Sequence, residues 1–549
     1  MAWRGTRTVS AATAVVVAVG LVSACGSEET TDAGRATGEF ADAVERLDVQ
    51  AASMFTSAPA LASEALAATI SGMNPQAVTT SVDSPVEYSD GTASFTMKTT
   101  WQWQDESSYA TTTSGTVRKL SSGWKVQWDP NLLFQGLPTG ARLQRIRTDA
   151  KPAPTVDSRT GKPFMQMEPV NEITFDQSAA GKKADAAIAA LSSSIRPIAP
   201  LITARTIRGK VDEAQGQPII AVTLRDEDMK VLASDPERIA GVTVRRTGRL
   251  VMNDRRLESP LEAGLTNYWN AIRDATAGWQ VQLAAPGAKP RRLAGEQGPP
   301  GKDVATSIDQ NQQLVLGDSV VDVAQPATMM VFDSMSGGIL AMAQNDAAAA
   351  SRVEAGLGYA TGSTLKPVFD AITRAVPGAD DRTPEANDVL HHFGLGVTFV
   401  APGVSLPRQV SPTVSTARFS PNDFTASMLN MGALGVALAR ADAGKDKAAP
   451  PFVIKGATTK VSTGDLGNLD RGVAKDVLAQ MSTIARKGDA SDITGAPGLR
   501  ALVGTNGPKG PGWFVGLQGG KVIVVYCEGD KSGTAALQVA QKYFRVAKS

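Results

Sequence analysis

Histidine and cysteine are nearly missing from this chain of 549 residues, with two of each. The histidines are adjacent, His391 and His392, and the cysteines, Cys25 and Cys527, lie at opposite ends. Zinc, haem and iron–sulfur centres need clustered His or Cys ligands, so no metal or cofactor is expected. A charge excess of either sign is also missing: 55 Lys and Arg stand against 54 Asp and Glu. That balance excludes the broad basic surface used to hold nucleic acid. Long apolar runs are scarce too. The run AVVVAVGLV, residues 14–22, is far shorter than the roughly 20 residues that span a bilayer.

What is present starts at that run. Arg4 and Arg7 precede it, and it leads into VSAC, residues 22–25. A basic start, a short apolar stretch and a small-residue junction make a secretory signal. The junction resembles a bacterial lipobox, which implies that 1–25 is a lipoprotein signal peptide and that Cys25 carries the lipid. The expected location is therefore the outer face of the bacterial cytoplasmic membrane. Cys527 is then the one thiol left in the body, and no internal disulfide can form. The small polar stretch 26–39 reads as a flexible tether.

The length calls for several domains. From Phe40 to Met73 the chain is alanine-rich with helical spacing. The period then becomes two: Phe95, Met97, Thr99, Trp101 and Trp103 alternate with polar residues, and Trp124, Val126 and Trp128 repeat the pattern. These tryptophans are expected in a core. Residues 40–140 are thus expected as a small α+β domain, similar to a nuclear-transport-factor-two-like module. Residues 141–300, ending in GEQGPPGKD, mix strands such as 218–224 with charged helices and suggest a pedestal or interaction domain. In 301–549 two hairpins are expected, one turning at 336–338 and one at Gly519-Gly520, with a closing helix over 534–546. Such elements around a helix-rich middle predict an antiparallel sheet covered by helices on both faces. The fold class expected for the whole chain is multidomain α+β.

The segment GYATGSTLKPV, residues 358–368, carries the chemistry. Ser363 follows a glycine at a predicted helix start, where free N–H groups favour an anionic oxygen. Lys366, three residues on, falls on the same helical face. A partly desolvated lysine there could take the serine proton. Ser-x-x-Lys is a weak signal alone, since Ser122–Lys125 matches it inside a strand pattern.

Context sharpens it. DVATSID, TMMVFDSMSGGILAMA, GSTLKPV, FGLG and GWFVG occur in the order found in class B penicillin-binding proteins, and 303–368 is the sharpest stretch. VDSRTGKPF, IAGVTVRRTGRL and SPLEAGLTNYWNAI resemble that family's pedestal. The lipobox and front module resemble its lipoprotein members of the methicillin-resistance type. The resemblance implies a C-terminal penicillin-binding transpeptidase fold and an acyl-serine mechanism in cell-wall synthesis. Ser363 would be the nucleophile and Lys366 its base, and backbone N–H groups at Ser363 and the Gly504–Thr505 strand would form the oxyanion hole. Peptidoglycan stem peptides, β-lactams and wall-synthesis proteins are the implied partners, with no nucleic acid.

Two of the family's motifs are altered. No serine lies between Ser363 and Ser405, where Ser-x-Asn is expected; Ser420-Pro421-Asn422 comes too late, and Ser420 is expected instead as a helix N-cap. In RALVGTNGPKGPGWFVG, Leu502 and Val503 stand where the Lys-Thr-Gly motif has lysine and threonine. That lysine would hold a carboxylate. The expectation is a degenerate active site; the alternative is a non-catalytic scaffold that binds wall or partner proteins. His391 and His392 are expected as a surface or helix-end pair.

Overall fold

A computed structural model describes residues 31–404, 418–420, 423–504 and 512–547. They fall into two compact units, one of residues up to 148 with 278–297, the other of 149–277 with 298–549.

In the first unit three helices, Asp32–Glu45, Val49–Met54 and Pro59–Met73, accompany antiparallel sheets. The first helix begins inside the stretch expected as tether. Thr31 caps it, its Oγ1 accepting the Gly34 N–H at 3.1 Å, and Ala33, Ala36 and Thr37 are buried. A cap and an apolar face outweigh the polar composition that suggested a linker. Strands Thr92–Gln102 and Ser108–Leu120 pair antiparallel. Phe95, Met97 and Trp101 point into one core with Phe40 and Leu66, and Trp103 is buried beside them.

The first compact unit continues past residue 140. Arg142–Thr148 pairs with Gly278–Ala284, which pairs with Arg291–Glu296, so three strands expected in the pedestal belong to this unit. Val281 and Leu283 alternate with glutamines, and their apolar face is buried in this unit's core. Arg145 holds the junction: its guanidinium lies 4.9 Å from the Trp103 ring and 5.8 Å from Trp279.

The second unit contains a five-stranded antiparallel sheet in the order Ile339–Gln344, Ala327–Asp333, Lys521–Cys527, Gly512–Gln518, Arg500–Gly504. Apart from Thr328 and the polar residues at their ends, its strands are apolar, as both faces are covered. Met329, Val331, Ile523 and Val525 pack with Leu316 and Val320 of helix Gln310–Val320 and with Ala536 and Val539 of helix Ser532–Val546. Met330, Phe332, Val522 and Val524 face Met431 and Leu434 of helix Met428–Asp442. Gly432 lets that helix approach the sheet: a Cβ there would stand 2.3 Å from the Phe332 ring. The second hairpin turns at Gly519 and Gly520, with φ of 59° and 77°. Two positive φ values in a two-residue turn match the twist of the flanking strands.

The rest of this unit has a second sheet, in which Pro163–Phe175 pairs with Val242–Met252 and with Ile219–Arg225. Ile173, Phe175 and Ile219 pack with Leu191, Ile195 and Ile207 of its helices. Helix Glu262–Ala275 sends Leu265 and Trp269 into the same core as Leu365 and Phe369. The expected break at 300 therefore separates residues that share one core.

Candidate active site

Ser363 sits on a single 3-10 turn, Gly362–Leu365, which runs into helix Lys366–Ala375. Gly362 has φ of 51°, a conformation open to glycine, and so sets the entry into the turn. The preceding strand Tyr359–Ala360 pairs with Thr425–Ala426. Thr361 adds two bonds, its N–H and its hydroxyl each donating to the Phe424 carbonyl at 3.0 Å. Behind the turn Phe369 meets Phe419 and Phe424 edge-on, with centroids 5.2 and 5.5 Å away. Ser363 is half-buried on this support.

The edge strand Arg500–Gly504 packs beside the turn. Trp513 joins the two. It pairs with Gly504 in the sheet register, and its indole N–H donates to the Ala360 carbonyl at 2.9 Å. The indole meets Tyr526 at a tilt with centroids 4.5 Å apart, and Tyr526 meets Tyr359 likewise at 4.3 Å. Burial pushes the Tyr359 hydroxyl up to about 12, and the Tyr526 hydroxyl is raised by the same cause. The fold thus brings Ser363 and Gly504 to one place from positions far apart in the chain. Thr505 and Cys25 lie outside the described residues.

Lys366 makes a different contact from the one its spacing suggests. A 3-10 turn eclipses residues three apart, which favours an approach to Ser363. The ammonium instead bonds both carboxylate oxygens of Asp370, at 2.9 and 2.8 Å. Its side chain is 69% exposed. Asp370 is one helical turn beyond Lys366, and this i, i+4 spacing was readable in the sequence.

Leu502 is fully buried. It points into the core that contains Trp513, while Val503 faces the core on the other side of the sheet. A carboxylate would find no cation on this strand at 502 or 503.

Ser420 lies outside any helix. The N-cap is Ser427, whose Oγ accepts the Asn430 N–H at 3.1 Å while Asn430 Oδ1 accepts the Ser427 N–H at 3.0 Å. Asn430 Nδ2 then donates to the carbonyls of Gly394 and Val397, both at 2.8 Å, which fixes the FGLG loop. Ser427-x-x-Asn430 has capping-box spacing, the signal that could have replaced Ser420. Pro421 and Asn422 lie outside the described residues. His391 and His392 end helix Pro384–His392, their rings against Gly464 and Gly467.

Residues 32–141 match the family of NTF2-like N-terminal transpeptidase domains. The match covers the helices and main sheet of the first unit and supports a transpeptidase-family protein, similar to penicillin-binding proteins. No curated protein matches the chain. Among the described residues, no helix is long and apolar enough to cross a membrane.

Proposed function

We propose that this chain is a penicillin-binding, transpeptidase-family lipoprotein of peptidoglycan synthesis, with Ser363 as nucleophile of a weakened acyl-serine site. The carrying observation is the Ser363 turn, held beside the edge strand through Trp513. Ser363 Oγ would bond to the carbonyl carbon of a peptide or β-lactam. Its proton passes to a base, the C–N bond breaks, and the leaving nitrogen takes that proton. The acyl group then goes to an amine of a second strand or to water. Lys366 is the base nearest in sequence, and it can act only after leaving Asp370. The Ser363 N–H and one from the Gly504–Thr505 segment are the oxyanion donors. Losing one such polar element costs about 100-fold or more in rate. With no cation at 502 and no serine between Ser363 and Ser405 to act as relay, turnover is slow.

A second reading is a non-catalytic scaffold of the same fold, binding wall strands or synthesis proteins. The Lys366–Asp370 pair favours it, because it occupies the expected base. A fluorescent penicillin separates the two. Slow covalent labelling of the intact chain that Ser363→Ala abolishes supports the acyl-serine reading. Complete absence of label leaves the scaffold, and rapid stoichiometric label refutes the weakened site. Attachment to the outer face of the membrane rests on Cys25. Cys25→Ala should stop lipid labelling and processing, and unchanged labelling would refute the anchor.

A further inference from the structure

One cavity of the second unit is lined by residues other than those of the Ser363 turn. It is a groove of about 810 Å3 between helix Glu262–Ala275, the 352–355 segment and the 400–404 segment. Its size falls in the range of small-molecule sites, roughly 300–1,000 Å3. Leu261, Val353, Val400 and Val404 give it apolar walls, and Arg352 and Glu354 line the same groove.

Arg352 is an unusual residue for its backbone position. Helix Asp346–Ala350 closes with the Val353 N–H on the Ala348 carbonyl and the Arg352 N–H on Ala349. This Schellman arrangement puts its αL residue at Arg352, with φ of 56°. Glycine is the usual occupant, because a side chain strains that conformation. Arginine is held there, at the groove, and among the described residues no carboxylate pairs with it. Glu354, two residues on, likewise has no ion pair among the described residues. At the groove wall the side-chain oxygen of Gln344 is buried and accepts no hydrogen bond.

From these groups we infer that the groove binds a short zwitterionic peptide with small aliphatic side chains. Its carboxylate meets Arg352 in a charge-assisted contact and its ammonium meets Glu354. The apolar walls take the aliphatic body. The site is also tied to the Ser363 segment: the Tyr359 hydroxyl accepts the Glu354 N–H at 2.8 Å and donates to the Glu354 carbonyl at 3.3 Å.

The test is calorimetry or ligand-observed NMR on the full chain with tri-alanine as probe. A dissociation constant on the order of 1 mM or tighter is expected for a ligand of this size. Amidating the peptide carboxylate should weaken binding about tenfold, and that loss should vanish in Arg352→Ala, which pairs the two groups in one cycle. Acetylating the amine should do the same against Glu354→Gln. Ala263→Trp, on the exposed side of the groove helix, should block binding by bulk. Ser363→Ala should bind as the parent does, which separates this groove from the acyl-serine site. No binding to the intact chain, or binding unchanged in both Arg352→Ala and Ala263→Trp, would overturn the inference.

Discussion

Lys366 and Asp370 are paired through both carboxylate oxygens, at 2.9 and 2.8 Å, on the exposed side of the helix that Ser363 leads into. The pair competes directly with any role of the lysine as base. Its strength is small: exposed pairs of this spacing are worth about 0.3–0.5 kcal/mol.

Asp370→Asn should therefore speed acylation of Ser363 by fluorescent penicillin about twofold, the rate equivalent of that energy. Fold stability should barely move. A rate that stays level or falls would show that the pair does not restrain Lys366.

Restoring the motif lysine should harm the protein. From the sequence alone, lysine at 502 is expected to recover carboxylate binding. Leu502 is fully buried in the main core, however, and an unpaired ammonium there costs about 3 kcal/mol or more. Leu502→Lys should lower the midpoint of chemical unfolding and leave acylation no faster. A loss under about 1 kcal/mol would mean that the side chain escapes into the cleft.

Gly432→Ala sets two effects against each other. Alanine in a helix gains about 1 kcal/mol over glycine. The new Cβ would meet Phe332 Cζ and Cε2 at 2.3 and 2.4 Å, and overpacking of this kind costs about 1–3 kcal/mol. The clash should win, giving a net loss in urea unfolding. A stabilised variant would show that the Phe332 ring can move aside.

Alkaline pH should weaken the fold through its buried tyrosines. Burial raises Tyr359 and Tyr543 from an ordinary 10.0 to about 12. In the unfolded chain these groups ionise first, so their contribution is complete below pH 10 and falls as pH rises toward 12. Unfolding midpoints measured from pH 9 to 11.5 should drop, and Tyr359→Phe should make the drop shallower. An equal slope in that variant would remove Tyr359 from the cause.

Much of the architecture was legible locally. The alternation through Phe95 to Trp103, the glycine pair at 519 and 520 and the apolar strands each follow from nearest-neighbour geometry, and each is found where expected. Ser363 was singled out in the same way, since a glycine and an expected helix start adjoin it in the chain. The sequence by itself determined the period of each strand, the turns and the candidate nucleophile. Three things waited for the tertiary structure. Strand 278–284 pairs with 142–148, a distant partner chosen by where its apolar face is buried. Leu502 is core, because its burial depends on which face of the sheet meets the helices. The ammonium of Lys366 lies on Asp370, and which neighbour a flexible side chain meets is decided by geometry in three dimensions, which spacing does not encode.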